Sequence, residues 1–112
     1  MSDCLFCRIA AGEIPARIVH ADDDVIAFHD VAPKAPAHVL VIPRRHLPSL
    51  AAAGDGDGLL LGHLLETCNS VARQLGLASY RVVINNGEDA GQSVLHLHLH
   101  LLGGRAFTWP PG

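Results

Sequence analysis

Three histidines fall within five residues near the C-terminal end of the chain, in His96-Leu-His98-Leu-His100-Leu-Leu. On an extended strand successive side chains point to opposite faces, so His96, His98 and His100 share one face and Leu97, Leu99 and Leu101 the other. The leucines demand a core, which sets the register and commits the imidazoles to the opposite side. Neighbouring rings on that face stand roughly 6.6 Å apart. A solvated polar face is the plainest account, yet a row of titratable rings costs stability unless something uses it. Imidazole ligates zinc, but three rings in line are too spread to reach one ion together. A neutral ring also keeps a lone pair for attack, while a protonated neighbour can hold phosphate oxygens. The pattern favours this last chemistry for His98 and His100, and a metal for His96.

Two further segments carry chemistry. The loop Asn85-Asn-Gly-Glu-Asp-Ala-Gly-Gln-Ser93 directly precedes the histidine row. Its glycines, backbone N–H groups and polar side chains suit it to cradle phosphate. At the other end of the chain, Cys4-Leu-Phe-Cys7 offers two of the four ligands of a tetrahedral metal site. The redox use of Cys-x-x-Cys requires a strand-to-helix junction, which the start of a chain does not provide. Cys68 lies on an apolar helical stripe, so histidines must complete any such site.

Positioning these residues requires a sheet and a helix. Residues 4–11 read as a short helix or turn ending at Gly12. Arg17–His20 and Val25–His29 are β-rich, with Asp22–Asp24 as the turn between them. His38–Ile42 is a third strand, stopped by Pro43. Gly54–Gly58 is a loop, and it is no dinucleotide fingerprint because Leu59 stands where a glycine is needed. Leu61, Leu64, Leu65, Cys68, Val71, Ala72 and Leu75 recur at helical spacing, and Gly76 is placed to end that helix. Tyr80–Asn85 and Val94–Leu102 complete five strands, with Asn86–Gln92 a loop. Strands that come in runs imply a mostly antiparallel sheet and an α+β class.

The chain has 112 residues, enough for one domain. About half are hydrophobic, which supports a real core. A net charge of −3 argues against a nucleic-acid binder. No apolar run approaches a membrane span. Met-Ser-Asp-Cys has no basic or long apolar leader, and with only three cysteines the expected location is the reducing cytoplasm.

The histidine row fits the signature His-φ-His-φ-His-φ-φ, where φ is apolar. Further likeness lies in Cys4–Pro15, Ala27–Asp30, Ala37–Pro43, Asn85–Ser93 and Trp109–Gly112. On these residues the chain resembles the histidine-triad (HIT) family, nearest its Hint-like branch, whose members end at the same Trp-Pro-Pro-Gly. The likeness covers residues 1–112 as a single HIT domain, and implies an antiparallel five-stranded sheet with one main helix and a short N-terminal helix.

The resemblance implies that His98 attacks the α-phosphorus of a nucleotide, and that water then releases the monophosphate from a nucleotidyl-histidine. It implies that His38 and His100 bind phosphate oxygens and tune His98, and that Asn85, Gly91 and Ser93 contact phosphate. Ser93 is also implied to assist departure of an amine. It lies an odd number of residues from the histidines, so it reaches the phosphate only if the strand starts after it or bulges. Asp30 matches the ribose-binding carboxylate, and Ile9, Phe28 and Val31 the apolar slot for the base. Cys4, Cys7, His46 and His96 match a structural zinc site of bacterial members. His29 and His63 read as surface residues, and His20 has no account.

The implied activity is hydrolysis of purine nucleoside phosphoramidates, such as AMP joined to an amine or to lysine. Dinucleoside polyphosphate hydrolysis and nucleotidyl transfer are alternatives within the family, disfavoured by the short tail. A non-catalytic nucleotide-binding scaffold would keep Asp30 and the loop but would not need His98. The leucine-rich helix, with Leu59 and Leu60 beside its stripe, implies a homodimer. In the family, pairing uses the helix and a sheet edge, with the tail around Trp109 reaching toward the partner's site.

Overall fold

The computed structural model describes residues 3–112. Met1 and Ser2, the start of the segment read above for an export signal, lie outside the described residues. One sheet of five antiparallel strands organises the chain: β1 (Ile18–Ala21), β2 (Val25–His29), β3 (Ala37–Pro43), β4 (Tyr80–Val83) and β5 (Leu99–Gly103). Their order across the sheet is β1-β2-β3-β5-β4, which places β3 beside the histidine segment. The α+β class and the antiparallel sheet are as expected. Among the described residues no helix is long and apolar enough to cross a membrane.

Helix α1 (Leu5–Ala10) and helix α2 (Gly58–Gln74) flank the sheet. Val25, Ala27, Val39, Val41, Leu97, Leu99 and Leu101 pack with Leu64, Cys68 and Val71 of α2. Ile26, Phe28, Leu40 and Ile42 form the opposite cluster, with Phe6 and Ile9 of α1. Cover on both faces explains why β2 and β3 read as continuous apolar runs rather than alternating ones. Each fully buried leucine or valine contributes about 1.5–3 kcal/mol of transfer free energy.

The helix stripe is narrower than its spacing predicts. Leu65 is 49% exposed, while Thr67 takes a buried place and donates its hydroxyl to the His63 carbonyl at 2.8 Å. The stripe centres on Leu64, Cys68 and Val71, and a side chain one position from Leu64 swings about 100° away. Residues 54–58 are more ordered than a loop. Asp55–Asp57 form a 3-10 turn, the Gly54 N–H donates to Asp57 Oδ2 at 2.7 Å, and α2 starts at Gly58. At the far end Gly76, with φ 71°, closes the helix as expected.

Two histidines without a role gain one here. His20 and His63 donate from Nε2 to the same oxygen of Asp22, at 2.7 and 2.8 Å. The other carboxylate oxygen accepts from the Asp24 and Val25 N–H groups, at 2.9 and 2.8 Å, and closes the β1–β2 turn. Burial alone would raise this carboxyl, but the bonds from His20, the two N–H groups and His63 outweigh it and hold it well below the usual carboxylate range. Asp22 thereby ties α2 to the hairpin.

β4 ends at Val83 rather than Asn85, and β5 begins at Leu99 rather than Val94. Pro43 is inside β3, paired with Val25, instead of stopping the strand before it. The last β3–β5 pair is Val41 with Leu99, so Pro43 would next oppose Leu97. Proline has no N–H for that ladder. Leu97 instead donates its N–H to the Leu47 carbonyl at 2.6 Å, outside the sheet.

Candidate active site

The alternation expected of the histidine segment survives although residues 94–98 lie off the ladder. Leu97, Leu99 and Leu101 enter the α2-side core, while Phe6 of α1 packs edge-on against His96 and His98 at ring separations of 6.0 and 5.1 Å. His98 is only 6% exposed, and its Nδ1 lies 2.7 Å from the His96 carbonyl oxygen. A carbonyl can only accept, so in the neutral ring the proton sits on Nδ1 and the lone pair on Nε2. His98 lines the cleft described below, which is where a nucleophile must present that lone pair.

Beside it runs a chain of hydrogen bonds whose direction is fixed at its origin. The Lys34 backbone N–H donates to His38 Nδ1 at 3.0 Å, so neutral His38 carries its proton on Nε2. That Nε2–H donates to His100 Nδ1 at 2.9 Å, which leaves the His100 proton on Nε2. His100 Nε2 is buried and has no partner among the described residues. A buried N–H in that state is costly alone and is a ready donor to an anionic oxygen. Asp30 Oδ2 stands 3.4 Å from His38 Nε2 and supports the same proton placement.

The sequence predicts a protonated neighbour to hold phosphate, and here the structure differs. Burial, aided by the nearby His98 and His38, pushes His100 down to about 4. Burial also lowers His38, with Asp30 opposing and Lys34 adding to the shift. Both rings are therefore neutral near pH 7 and offer directed N–H groups rather than charge.

Asp30, His98 and His100 line a cleft of about 810 Å³, and His38 stands behind them. Phe6, Ile9, Phe28, Leu40 and Val94 line its apolar part, and Asp30, Ser93, His98 and His100 its polar part. Ser93 meets the condition set for it: β5 begins only at Leu99, so the odd spacing does not turn it away. Asp30 uses Oδ1 to accept the Ala32 N–H at 2.8 Å. Val31 lines the rim and is fully exposed. Asn85 and Gly91 lie against each other, with φ 97° at Gly91, and neither is among the residues lining this cleft. Gln92 ties their loop to the neighbouring backbone. Its Oε1 accepts the Gly87 N–H at 2.9 Å, and its Nε2 donates to the Pro48 and Val94 carbonyls at 2.7 and 3.0 Å.

Sequence reasoning missed Phe6, Leu40 and His29. His29, expected on the surface, lines the cleft from the end of β2. The signal for Phe6 was its place between Cys4 and Cys7.

Cys4, Cys7, His46 and His96 converge, with one ligand atom of each within 4.8 Å of all the others. His96 Nδ1 lies 3.3 Å from Cys4 Sγ, 3.5 Å from Cys7 Sγ and 3.2 Å from His46 Nδ1. Cys7 Sγ lies 3.4 Å from His46 Nδ1. Metal–sulfur and metal–nitrogen bonds of about 2.3 and 2.0 Å give tetrahedral edges of about 3.3–3.8 Å, so the four atoms fit one ion. His96 Nε2 donates to the Pro43 carbonyl at 2.8 Å, which leaves the Nδ1 lone pair for the metal. The ligand atoms of Asp30, His38 and His100 are also mutually close, but both His38 nitrogens and His100 Nδ1 are engaged as just described.

Comparison with known proteins matches this architecture throughout. The model of the HIT domain family matches residues 11–107. An uncharacterized HIT-like protein of Synechocystis sp. is 56% identical over 111 residues, 98% of this chain and 97% of that protein. The crystal structure of a HIT family hydrolase from Legionella pneumophila superposes with a TM-score of 0.96 at 47% identity, covering 98% of this chain and all of the other. A zinc-bound histidine triad family protein from Mycobacterium smegmatis gives a TM-score of 0.79 at 30% identity, covering 92% of this chain and 76% of that one.

Proposed function

This chain belongs to the HIT domain family, and from that premise we propose that it is a Hint-like nucleoside phosphoramidase. Residues 1–112 form one domain that hydrolyses purine nucleoside 5′-phosphoramidates, of the AMP–amine or AMP–lysine type. The observation that carries the reading is the paired orientation of two rings. His98 has its proton tied to the His96 carbonyl and its lone pair free, and His100, which lines the same cleft, carries a buried N–H without a partner among the described residues.

In this reading the purine lies among Ile9, Phe28 and Val31, and Asp30 accepts from the ribose hydroxyls. His98 Nε2 attacks the α-phosphorus as the phosphorus–nitrogen bond breaks. His100, set by His38, donates to a phosphoryl oxygen, whose charge rises in the transition state. Ser93 delivers a proton to the departing amine. Asn85 and Gly91, whose loop leads into Ser93, contact phosphate. Water then attacks phosphorus in the histidine adduct and releases AMP or GMP with regeneration of His98.

Cys4, Cys7, His46 and His96 hold a structural zinc, which braces the N-terminal helix against the sheet. Exposed Leu59 and Leu65 on α2 and exposed Trp109 in the tail support a homodimer. The protein acts in the cytoplasm. The experiment compares product release from adenosine 5′-phosphoramidate and from diadenosine polyphosphate at equal enzyme. Faster cleavage of the phosphoramidate is expected; preference for the polyphosphate would move the chain to another branch of the family.

A further inference from the structure

We propose that the Cys4, Cys7, His46 and His96 quartet is the positioning device for His98, so that metal occupancy decides whether the reactive ring is held in attacking orientation. This rests on the function proposed above and on the metal site. His98 needs such a device because the ladder does not reach it: β5 begins at Leu99, and Pro43 has no N–H to extend the β3 pairing.

Apart from the edge-on His100 ring at 5.0 Å, the contacts that hold His98 adjoin metal-ligating residues. Its Nδ1–H is bonded to the carbonyl of His96 itself, at 2.7 Å. The His96 ring is wholly buried and pinned at both nitrogens, by the quartet and by the Pro43 carbonyl at 2.8 Å. Leu97, between the two histidines, is tied to Leu47, the neighbour of His46, by its N–H at 2.6 Å. The wall against the His98 ring is Phe6, which lies between Cys4 and Cys7, with ring centroids 5.1 Å apart. Remove the ion, and four side chains from three separate segments lose what unites them. Phe6 and the His96 carbonyl then drift, and the His98 ring with them. His96, Phe6 and Leu47 are thus positioning residues; none needs to touch substrate.

The test compares zinc-loaded wild type with a Cys4→Ser/Cys7→Ser variant, with metal content measured in both. The readout is exchange of the His98 Nδ1–H proton, followed by nitrogen-15 NMR and measured relative to the core backbone amides of β3, which a merely stabilising metal would speed equally. We expect exchange of this proton with solvent to be at least tenfold faster in the variant. We also expect kcat toward adenosine 5′-phosphoramidate to fall about 10–100-fold, the usual effect of losing a group that orients a ligand or catalyst, while the AMP dissociation constant stays within threefold. A folded, metal-free variant with His98 exchange and kcat both within twofold of wild type would overturn the proposal. So would a wild type that takes up no metal. Where the variant does not fold, wild type is titrated with chelator and zinc, and His98 exchange must track occupancy. If wild type fails to cleave phosphoramidates while His98 still responds to zinc, the proposed substrate is wrong and the positioning role stands.

Discussion

Replacing His38 tests the hydrogen-bond chain more sharply than replacing either ring that faces the cleft. His38 is buried and does not line the cleft; it meets the lining through His100 and, at 3.4 Å, Asp30. In His38→Ala the Lys34 N–H loses its acceptor at 3.0 Å and His100 Nδ1 loses its donor at 2.9 Å. Each unsatisfied buried group costs about 1–3 kcal/mol, so folding stability should fall by about 2–6 kcal/mol. The catalytic loss has a separate origin. Without His38, neutral His100 is free to carry its proton on Nδ1 and to turn a lone pair toward the phosphate. Losing one preorganised donor of this kind lowers kcat about 10²–10³-fold. His38→Gln places an amide N–H near the former Nε2 and should recover about tenfold of that loss. The assay is kcat for AMP release from adenosine 5′-phosphoramidate, at a temperature where a melting curve shows each variant folded. A folded His38→Ala within threefold of wild-type kcat would refute the relay, as would a His38→Gln no faster than the alanine variant.

Three further outcomes follow from the geometry. Ser93→Ala should slow release of an alkylamine roughly a hundredfold, yet leave a substrate with a good leaving group nearly unchanged, because only the first needs a proton; equal loss on both substrates would contradict the role of Ser93. The folded-state values of His100 (about 4) and His38 lie below their ordinary 6.5, so the unfolded chain binds more protons in that interval. Stability should therefore fall as pH drops from about 6.5 toward 4, with His100 contributing on the order of 3 kcal/mol, and a urea midpoint that does not change across this window would refute the burial argument. Asp22→Ala breaks the bonds from His20, His63, Asp24 and Val25 and should lower Tm by roughly 5–10 °C with kcat unchanged; a Tm within 1 °C, roughly the shift from a few tenths of a kcal/mol, would show that the tie between α2 and the hairpin carries no stability.

What was legible in the residues is what local periodicity encodes. Leu97, Leu99 and Leu101 enter the core as their alternation requires, and Ser93 reaches the cleft because the strand begins after it. The start of β5 was not legible from residues 94–98 alone. It depends on Pro43, a residue of the neighbouring strand that cannot donate to the ladder. Leu65 followed the helical spacing but faces outward, since the core contacts only a narrow arc of α2. His20 and His63 acquired a role through a carboxylate that bonds both, a long-range pairing that composition does not announce. The neutral state of His100 likewise follows from burial between strands, not from its own sequence neighbourhood. His46 entered by resemblance alone, and the fold then brings it to Cys7 and His96.

The central claim is that His98 Nε2 becomes covalently bonded to phosphorus during turnover. Rapid acid-free quenching of the enzyme with adenosine 5′-phosphoramidate, followed by peptide mass spectrometry, reads this directly. The account predicts one adenylyl group on the peptide containing His98, localised to that ring, and neither adduct nor turnover in His98→Ala. An adduct on another residue, or turnover that persists in the folded His98→Ala protein, would contradict it.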